Sequence, residues 1–278
     1  MKELFDVVSL RASKMVTNRY STSFSLGIKL LNPQIRPAIY AVYGFVRIAD
    51  EIVDSFHEYN KEELLKRFRE DTYRALDERI SLNPILNAFQ SAVHQYQISR
   101  QHIDTFLDSM EMDLKRTSYD QSGYEQYIVG SAEVVGLMCL KIFCNGDEEM
   151  YQRLEYSAQR LGAAFQKINF LRDIKADYQA LGRTYFPKVE MKSFDQQTKS
   201  TIEEDIQKDF NDGLEGIKRL PRSARFGVYV AFIYYYSLFR KIKEVPCSQI
   251  LNKRIRISNK NKIGLLCYSF MRYKLNLL

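Results

Sequence analysis

Scarcity of chain-breaking residues restricts this fold more than any other feature. Six prolines and 12 glycines are spread through 278 residues, too few to turn many short strands. Between them, apolar residues recur at spacings of three and four, the period of packed helices. The pattern predicts helices over about 2–18, 33–56, 61–76, 84–97, 100–116, 121–143, 147–178, 198–219, 223–244 and 259–276, with ends good to about two to four residues. Pro33 and Pro37 suit the first turn of the second helix, and Asn83-Pro84 opens another. No ten-residue window alternates well enough for a sheet. The expectation is an all-α bundle, one domain over 1–278, with long helices around a shared centre.

Composition narrows the class. Apolar residues make up 45% and charged residues 27%, the balance of a globular protein. The net charge of +7 points to an acidic partner: phosphorylated metabolites, nucleic acid or an anionic membrane face. No RRM, zinc-finger or P-loop pattern is present, so nucleic acid is not expected. The densest basic run is KRIRISNKNK at 253–262. The cysteines, at 139, 144, 247 and 267, include no CxxC pair and read as thiols of a reducing compartment. MKELFDVVSLRASK lacks the apolar core of a signal peptide. The stretch GVYVAFIYYYSLF at 227–239, read as the most apolar, is shorter than the roughly 20 residues of a membrane span. A cytoplasmic location is expected.

Two acid clusters stand out. In RIADEIVD, Arg47, Asp50, Glu51 and Asp54 recur at helical spacing and form one polar stripe between apolar flanks. Taken alone, such a stripe is more often a solvated face than a site. In the second cluster Gln166, Asn169, Asp173 and Asp177 follow steps of three, four and four, so they share a face. Asp173 and Asp177 are one turn apart, a rise of about 6 Å. Apolar Phe165, Ile168, Phe170 and Leu171 crowd the same turns, which suggests a wet cavity inside a bundle. Oxygen donors of this kind suit a hard divalent cation such as Mg²⁺. Arg47 and Arg172, beside the acids, are placed to grip phosphate oxygens. Acids alternating with arginines are what a metal–diphosphate complex requires.

These stretches belong to an ordered series: YSTSF at 20–24, YAVYGFVRIADEIVD at 40–54, MEMDL at 110–114, YIVGSAEVVGLM at 127–138 and RLGAAFQKINFLRDIKADYQALGRTYFP at 160–187. With it the chain resembles the head-to-head isoprenoid synthases, the squalene/phytoene synthase family, over nearly its whole length. The resemblance implies an all-α isoprenoid-synthase fold with a central cavity. It also implies Mg²⁺, with Mn²⁺ as a substitute, and prenyl diphosphate substrates. Asp50, Asp54, Asp173 and Asp177 match the metal-binding acids, with Asn169 as a further metal contact. Tyr20, Ser21, Thr22 and Ser23 match a segment that binds diphosphate. Tyr43, Arg47, Gln166 and Arg172 match other substrate contacts, and Tyr127 and Gly136 bracket a segment lining the cavity. Its small residues Gly130, Ser131, Ala132 and Gly136 admit either a passing isoprenoid chain or close helix packing. Arg183 and Tyr185 match a loop closing over the diphosphates. Tyr234 is the candidate late tyrosine, within a run that includes tyrosines at 229, 235 and 236.

Two departures matter. Glu51 replaces the second acid of a DDxxD pattern, with Asp50 and Asp54 kept. Thr22 stands where some relatives carry Lys, removing one cation. His57, His94 and His102 match no catalytic position and read as surface or loop residues. Asp108, Glu111 and Asp113 form another acid face, with Asp113 nearest the cavity.

By motif wording the resemblance implies a phytoene synthase of carotenoid biosynthesis. Such an enzyme joins two geranylgeranyl diphosphates through a cyclopropylcarbinyl diphosphate, without NADPH. The same-class alternative is squalene or dehydrosqualene synthesis from two farnesyl diphosphates. The different-class alternative is a non-catalytic assembly factor of the same fold. A hydrocarbon product implies peripheral membrane contact, for which Arg254, Arg256, Lys260, Lys262, Phe270 and Tyr273 are candidates.

Overall fold

The computed structural model describes residues 1–116, 118–176, 185–187, 194–250 and 254–275. Among them there is no β-strand. In chain order the helices are α1 (Lys2–Tyr20), α2 (Thr22–Lys29), α3 (Arg36–Asp54), α4 (Lys61–Glu78), α5 (Pro84–Tyr96) and α6 (Arg100–Lys115). Then come α7 (Gln121–Ile128), a π-turn (Val129–Glu133), α8 (Val134–Cys144), α9 (Glu148–Ala176), α10 (Gln196–Arg219), α11 (Arg222–Lys243), α12 (Cys247–Ile250) and α13 (Asn259–Lys274).

Side-chain caps start many of them. Asn60, Asn83, Ser99, Asp195 and Ser258 each accept a hydrogen bond from an otherwise orphaned backbone N–H. Three elements escape the periodicity, α2, the π-turn and the four-residue α12. Helix α2 spans two turns, too short for the pattern to register, and is announced only by the Ser21 hydroxyl accepting from Phe24 N at 3.1 Å. The π-turn interrupts the helix expected over 121–143. There Glu133 is buried against Arg160 of α9.

Burial divides into two apolar cores. One gathers α3, α4, α5 and α6 with one face of α8, where Phe45 stacks on Phe89 at 3.9 Å. Phe45 is fully buried, so truncation to alanine would cost about 3–5 kcal/mol. The other joins the helices from α7 onward around Phe170, Phe210 and Phe239. Phe143 and Val228 pack against both, and the cavity lies in this seam. Helices α9 and α10 are stapled by Lys167, which reaches Asp205 at 2.5 Å and Asp209 at 2.7 Å.

The most apolar long helix is Gln121–Cys144, not the 227–239 stretch. An 18-residue window within it has a mean hydropathy of 1.7, and 61% of that window is buried inside the bundle. By length and composition it could cross a membrane; its burial is that of a core helix.

Candidate active site

A cavity of about 830 Å³ runs through the seam. On α9 its lining extends from Leu154 to Arg172, a length of about 27 Å at the helical rise. The Leu154 end is apolar, with Leu140, Phe143, Leu161, Ile217 and Leu220. At the other end the described lining carries six cations, Arg19, Arg47, Arg172, Arg254, Arg256 and Lys262, against one carboxylate, Asp50.

Four aromatic rings lie between the ends. Phe24 sits 5.9 Å from Tyr43, 6.1 Å from Phe165 and 5.5 Å from Tyr235. Tyr235 stacks on Phe165 at 4.1 Å. Burial pushes the Tyr43 hydroxyl up to about 12 and raises that of Tyr235 as well. Both phenols therefore stay neutral, and their ring faces offer negative charge density to a passing cation.

The polar end is built from α3, α9, the start of α2 and the C-terminal segment. Tyr20, Ser21, Thr22 and Ser23 line it. Arg47 lies 4.4 Å over the Tyr20 ring and pairs with Glu51 one turn on. Its buried Nε finds no hydrogen-bond partner among the described residues, which leaves a donor for an incoming oxygen. Asp50 is enclosed. Burial, then the neighbouring Asp54 charge, raises its carboxyl to about 7, and Arg47 only partly offsets this. Asp113 adds to the same field.

On α9, Gln166, Asn169 and Arg172 line the cavity, and Asn169 Nδ2 donates to Gln166 Oε1 at 3.4 Å. Asp173 is held differently. Arg172 grips it at 3.0 Å and 2.5 Å. Arg254 grips the same carboxylate, Nε at 2.7 Å and a terminal nitrogen at 3.0 Å. Asp177 and Arg183 lie outside the described residues.

Two other expected residues, Tyr127 and Tyr185, are not among the cavity-lining residues. Tyr127 donates to Asp113 Oδ2 at 2.6 Å, while Tyr119 and Tyr185 donate to Asp113 Oδ1 at 3.0 Å and 3.3 Å. Tyr185 also stacks on Phe170 at 3.9 Å. Asp113 is thus the buried anchor of a three-tyrosine knot that fixes the residues after the Gly-Arg-Thr segment. Gly136 lines the cavity, but a Cβ there would meet the Ala158 carbonyl oxygen at 2.7 Å. At Gly130 a Cβ would meet Ser109 Cβ at 2.5 Å. Close helix packing demands both glycines. Tyr234 and Tyr235 both line the cavity; Tyr235 lies beside Asn169 and Arg172, and Tyr234 donates to the Lys262 carbonyl at 2.9 Å. None of the histidines is at the cavity, and His102 is half-buried on α6 rather than at the surface.

Sequence reasoning gave no site role to Arg19, Phe165 or the cavity-facing side of 254–262, and left Tyr235 open beside Tyr234. The basic run was visible, but its register against α2 and α9 was not. Arg254, Arg256 and Lys262, expected at lipid, face the cavity. Phe270 and Tyr273 lie 6.0 Å and 4.9 Å from Phe226.

Among the described residues no three acids, histidines or cysteines converge into a full metal-ligand set. Mg²⁺ seldom needs one, since it commonly takes one or two carboxylates and completes its shell with water and substrate phosphate. The enclosed Asp50 beside Asp54, with Asn169 across the cavity, fits that mode.

The helical architecture matches a solved dehydrosqualene synthase in complex with ligand. The TM-score is 0.81 at 21% identity, covering 97% of this chain and 98% of the other. This establishes the class as the all-α isoprenoid-synthase fold. The family model described as squalene/phytoene synthase matches residues 17–261, and the chain belongs to that family. It is 31% identical over 193 residues to a 4,4'-diapophytoene synthase of Staphylococcus haemolyticus, covering 67% of this chain and 65% of that protein. It is 25% identical over 275 residues to the chloroplastic phytoene synthase 1 of Solanum lycopersicum, covering 89% and 64%. The matches thus span just under two thirds of these relatives' own length.

Proposed function

We propose that the protein is a prenyltransferase, a phytoene synthase joining two geranylgeranyl diphosphates head to head with Mg²⁺. The observation that carries this is the polarity of one cavity: among the described residues, six cations with a half-buried carboxylate at one end, and an apolar lining at the other. A prenyl diphosphate has the same division. The lining of about 27 Å along α9 supports the longer chain.

The residues have separable tasks. Arg47, Arg172 and the hydroxyls at 20–23 bind and orient diphosphate oxygens. Asp50, Asp54, Asn169, Asp173 and Asp177 would hold the divalent metal, which when bound neutralises charge on the departing diphosphate. Loss of the first diphosphate, by C–O cleavage at C1, leaves an allylic cation. The double bond of the second molecule captures it and a proton is lost, giving the cyclopropylcarbinyl diphosphate. Phe24, Tyr43, Phe165 and Tyr235 stabilise the cation with their ring faces and exclude water. Loss of the second diphosphate, rearrangement and loss of a proton give the hydrocarbon, with NADPH playing no part.

The family description leaves squalene or dehydrosqualene synthesis from two farnesyl diphosphates as the runner-up. Purified protein with Mg²⁺ and each diphosphate, with and without NADPH, separates them. A C40 hydrocarbon from geranylgeranyl diphosphate is expected. Squalene from farnesyl diphosphate with NADPH, and no C40 product, overturns the choice. No product from either leaves the non-catalytic alternative. The retained Asp50, Asp54, Asp173 and Asp177 argue against that alternative. The proposal includes a cytoplasmic location with peripheral contact to anionic lipid through exposed Ile263, Phe270 and Met271 of α13, testable by salt-sensitive vesicle binding.

A further inference from the structure

Short of Phe165 on α9, the cavity wall is made of small residues from neighbouring segments: Ala132 and Gly136 of the π-turn and α8, Ala158 and Gly162 of α9, and Gly213 and Gly216 of α10. The backbones there pass as close as glycine permits. A Cβ at Gly162 would meet the Ala132 carbonyl oxygen at 2.5 Å, and one at Gly216 would overlap Ser157 Cβ. With no long side chains to give way, the width of the cavity at this level is set by where the π-turn, α9 and α10 stand.

One guanidinium ties these segments together from behind. Arg160 of α9 pairs with Glu133, the last residue of the π-turn, and with Asp209 of α10 at 3.3 Å. None of the three lines the cavity. The two carboxylate side chains are only 6% and 3% exposed. Burial raises both carboxyls, opposed first by Arg160 at Glu133 and by Lys167 at Asp209. Apolar residues of like size commonly serve stability as well as a buried ionic group does, so stability alone does not account for this one. The geometry it holds is unusual. The Val134 N–H donates to the Val129 carbonyl, five residues back, the wider π spacing that recurs at functional sites. Steps of four back from Ser131 and Ala132 lead to Tyr127 and Ile128, which do not line the cavity, although it continues along α9 to Arg172. The chain thus turns away from the cavity at the π-turn, and Glu133 is pinned at that point.

We propose that Glu133 and Arg160 are positioning residues for chain-length selection: their pair holds the π-turn against α9, fixes the width of the cavity beside it, and so discriminates between prenyl chains of different length. This rests on the prenyl diphosphate reading of the cavity. Neither residue touches substrate. When the pair is broken the π-turn and α9 part and the wall loosens. The preferred chain then loses its advantage, because discrimination by an apolar pocket depends on close fit.

Breaking and sparing the pair tests the proposal. With Mg²⁺, kcat/KM is measured for geranylgeranyl and farnesyl diphosphate in the wild type, Glu133→Ala, Glu133→Gln and Arg160→Met, with melting temperature as the control for folding. The ratio of the two values is the readout, since a purely structural loss lowers both alike. Glu133→Ala is expected to shrink the ratio about tenfold, the scale of a poorly fitted methylene. Glu133→Gln keeps an oxygen for the guanidinium and is expected to stay within about twofold of wild type. Arg160→Met breaks the same contact from the other side and is expected to move the ratio as Glu133→Ala does; it decides the matter if Glu133→Ala fails to fold. An unchanged ratio in folded Glu133→Ala or Arg160→Met, whether or not both rates fall, overturns the inference and leaves the cavity reading standing. An equal shift in Glu133→Gln overturns it too, since the bridge is then not the cause. A wild type that turns over neither diphosphate overturns the cavity reading itself.

Discussion

Asp50 on α3 and Asp173 on α9 are the same side chain on two cavity helices, and they are held in opposite ways. Asp50 is enclosed, lies near Asp54 and Asp113, and has its carboxyl raised to about 7 by burial and those neighbours. The nearby Arg47 is already committed to Glu51. Asp173 lies between two guanidinium groups, one next to it in the chain and one from 81 residues on. Asp50 is short of positive charge and gains most from a divalent cation. Asp173 has its charge matched, so a metal there must displace arginine, and a displaced Arg254 is freed for phosphate. The difference teaches that two acidic motifs of similar wording can fill different parts in one site.

Four experiments break or sharpen this contrast. Removing the enclosed acid should do most. Asp50→Ala is expected to lower turnover at least 10³-fold, the scale of losing a key electrostatic contact, with the helical circular-dichroism spectrum retained; dialysis against a chelator should do the same, reversibly with Mg²⁺. Asp173→Asn comes next, with a fall of about 10²–10³-fold and a nearly unchanged melting temperature. Full activity in that variant would mean the metal reading is wrong.

The third uses pH. In the metal-free protein the Asp50 carboxyl titrates at about 7, against an ordinary 3.8. Its folding penalty is therefore absent below about pH 4, grows as pH rises towards 7 and is complete above it. Asp50→Asn should raise stability by a few kcal/mol at pH 8, and the gain should shrink towards zero as pH approaches 4. Denaturant titrations at both pH values read this directly, and a pH-independent difference would show that Asp50 is not desolvated. The smallest effect is expected at Arg254. With one competing guanidinium gone, Arg254→Met should tighten Mn²⁺ binding in the absence of diphosphate by about three- to tenfold, the scale of a half-exposed ion pair. Unchanged affinity would show that the arginine does not compete.

Much of this organisation is legible in the chain because it is local. Helix period, proline positions and the i, i+3, i+4 spacing of Arg47, Asp50, Glu51 and Asp54 act within a few turns. The misses were of two kinds. Helix α2, the π-turn at 129–133 and α12 are too short to change a periodic pattern. Tyr127, Tyr185 and Asp113 form a knot across 72 residues, and no spacing rule joins an acid to a tyrosine so far away. The small residues at 130 and 136 left two readings open, and only the backbones facing them decided for packing.

By itself the sequence determined that the chain is helical, that acids and arginines alternate on two long helices, and that its ordered motifs are those of the squalene/phytoene synthase family. These follow from short-range geometry and from the order of residues. Tertiary structure alone decided which charges are matched. Arg254 closes on Asp173, Lys262 reaches Thr22, and Asp50 is half-buried near the charges of Asp54 and Asp113. The physical reason is that burial and ion pairing depend on what lies within a few ångströms, and across 81 or 240 residues only the packed helices set that distance.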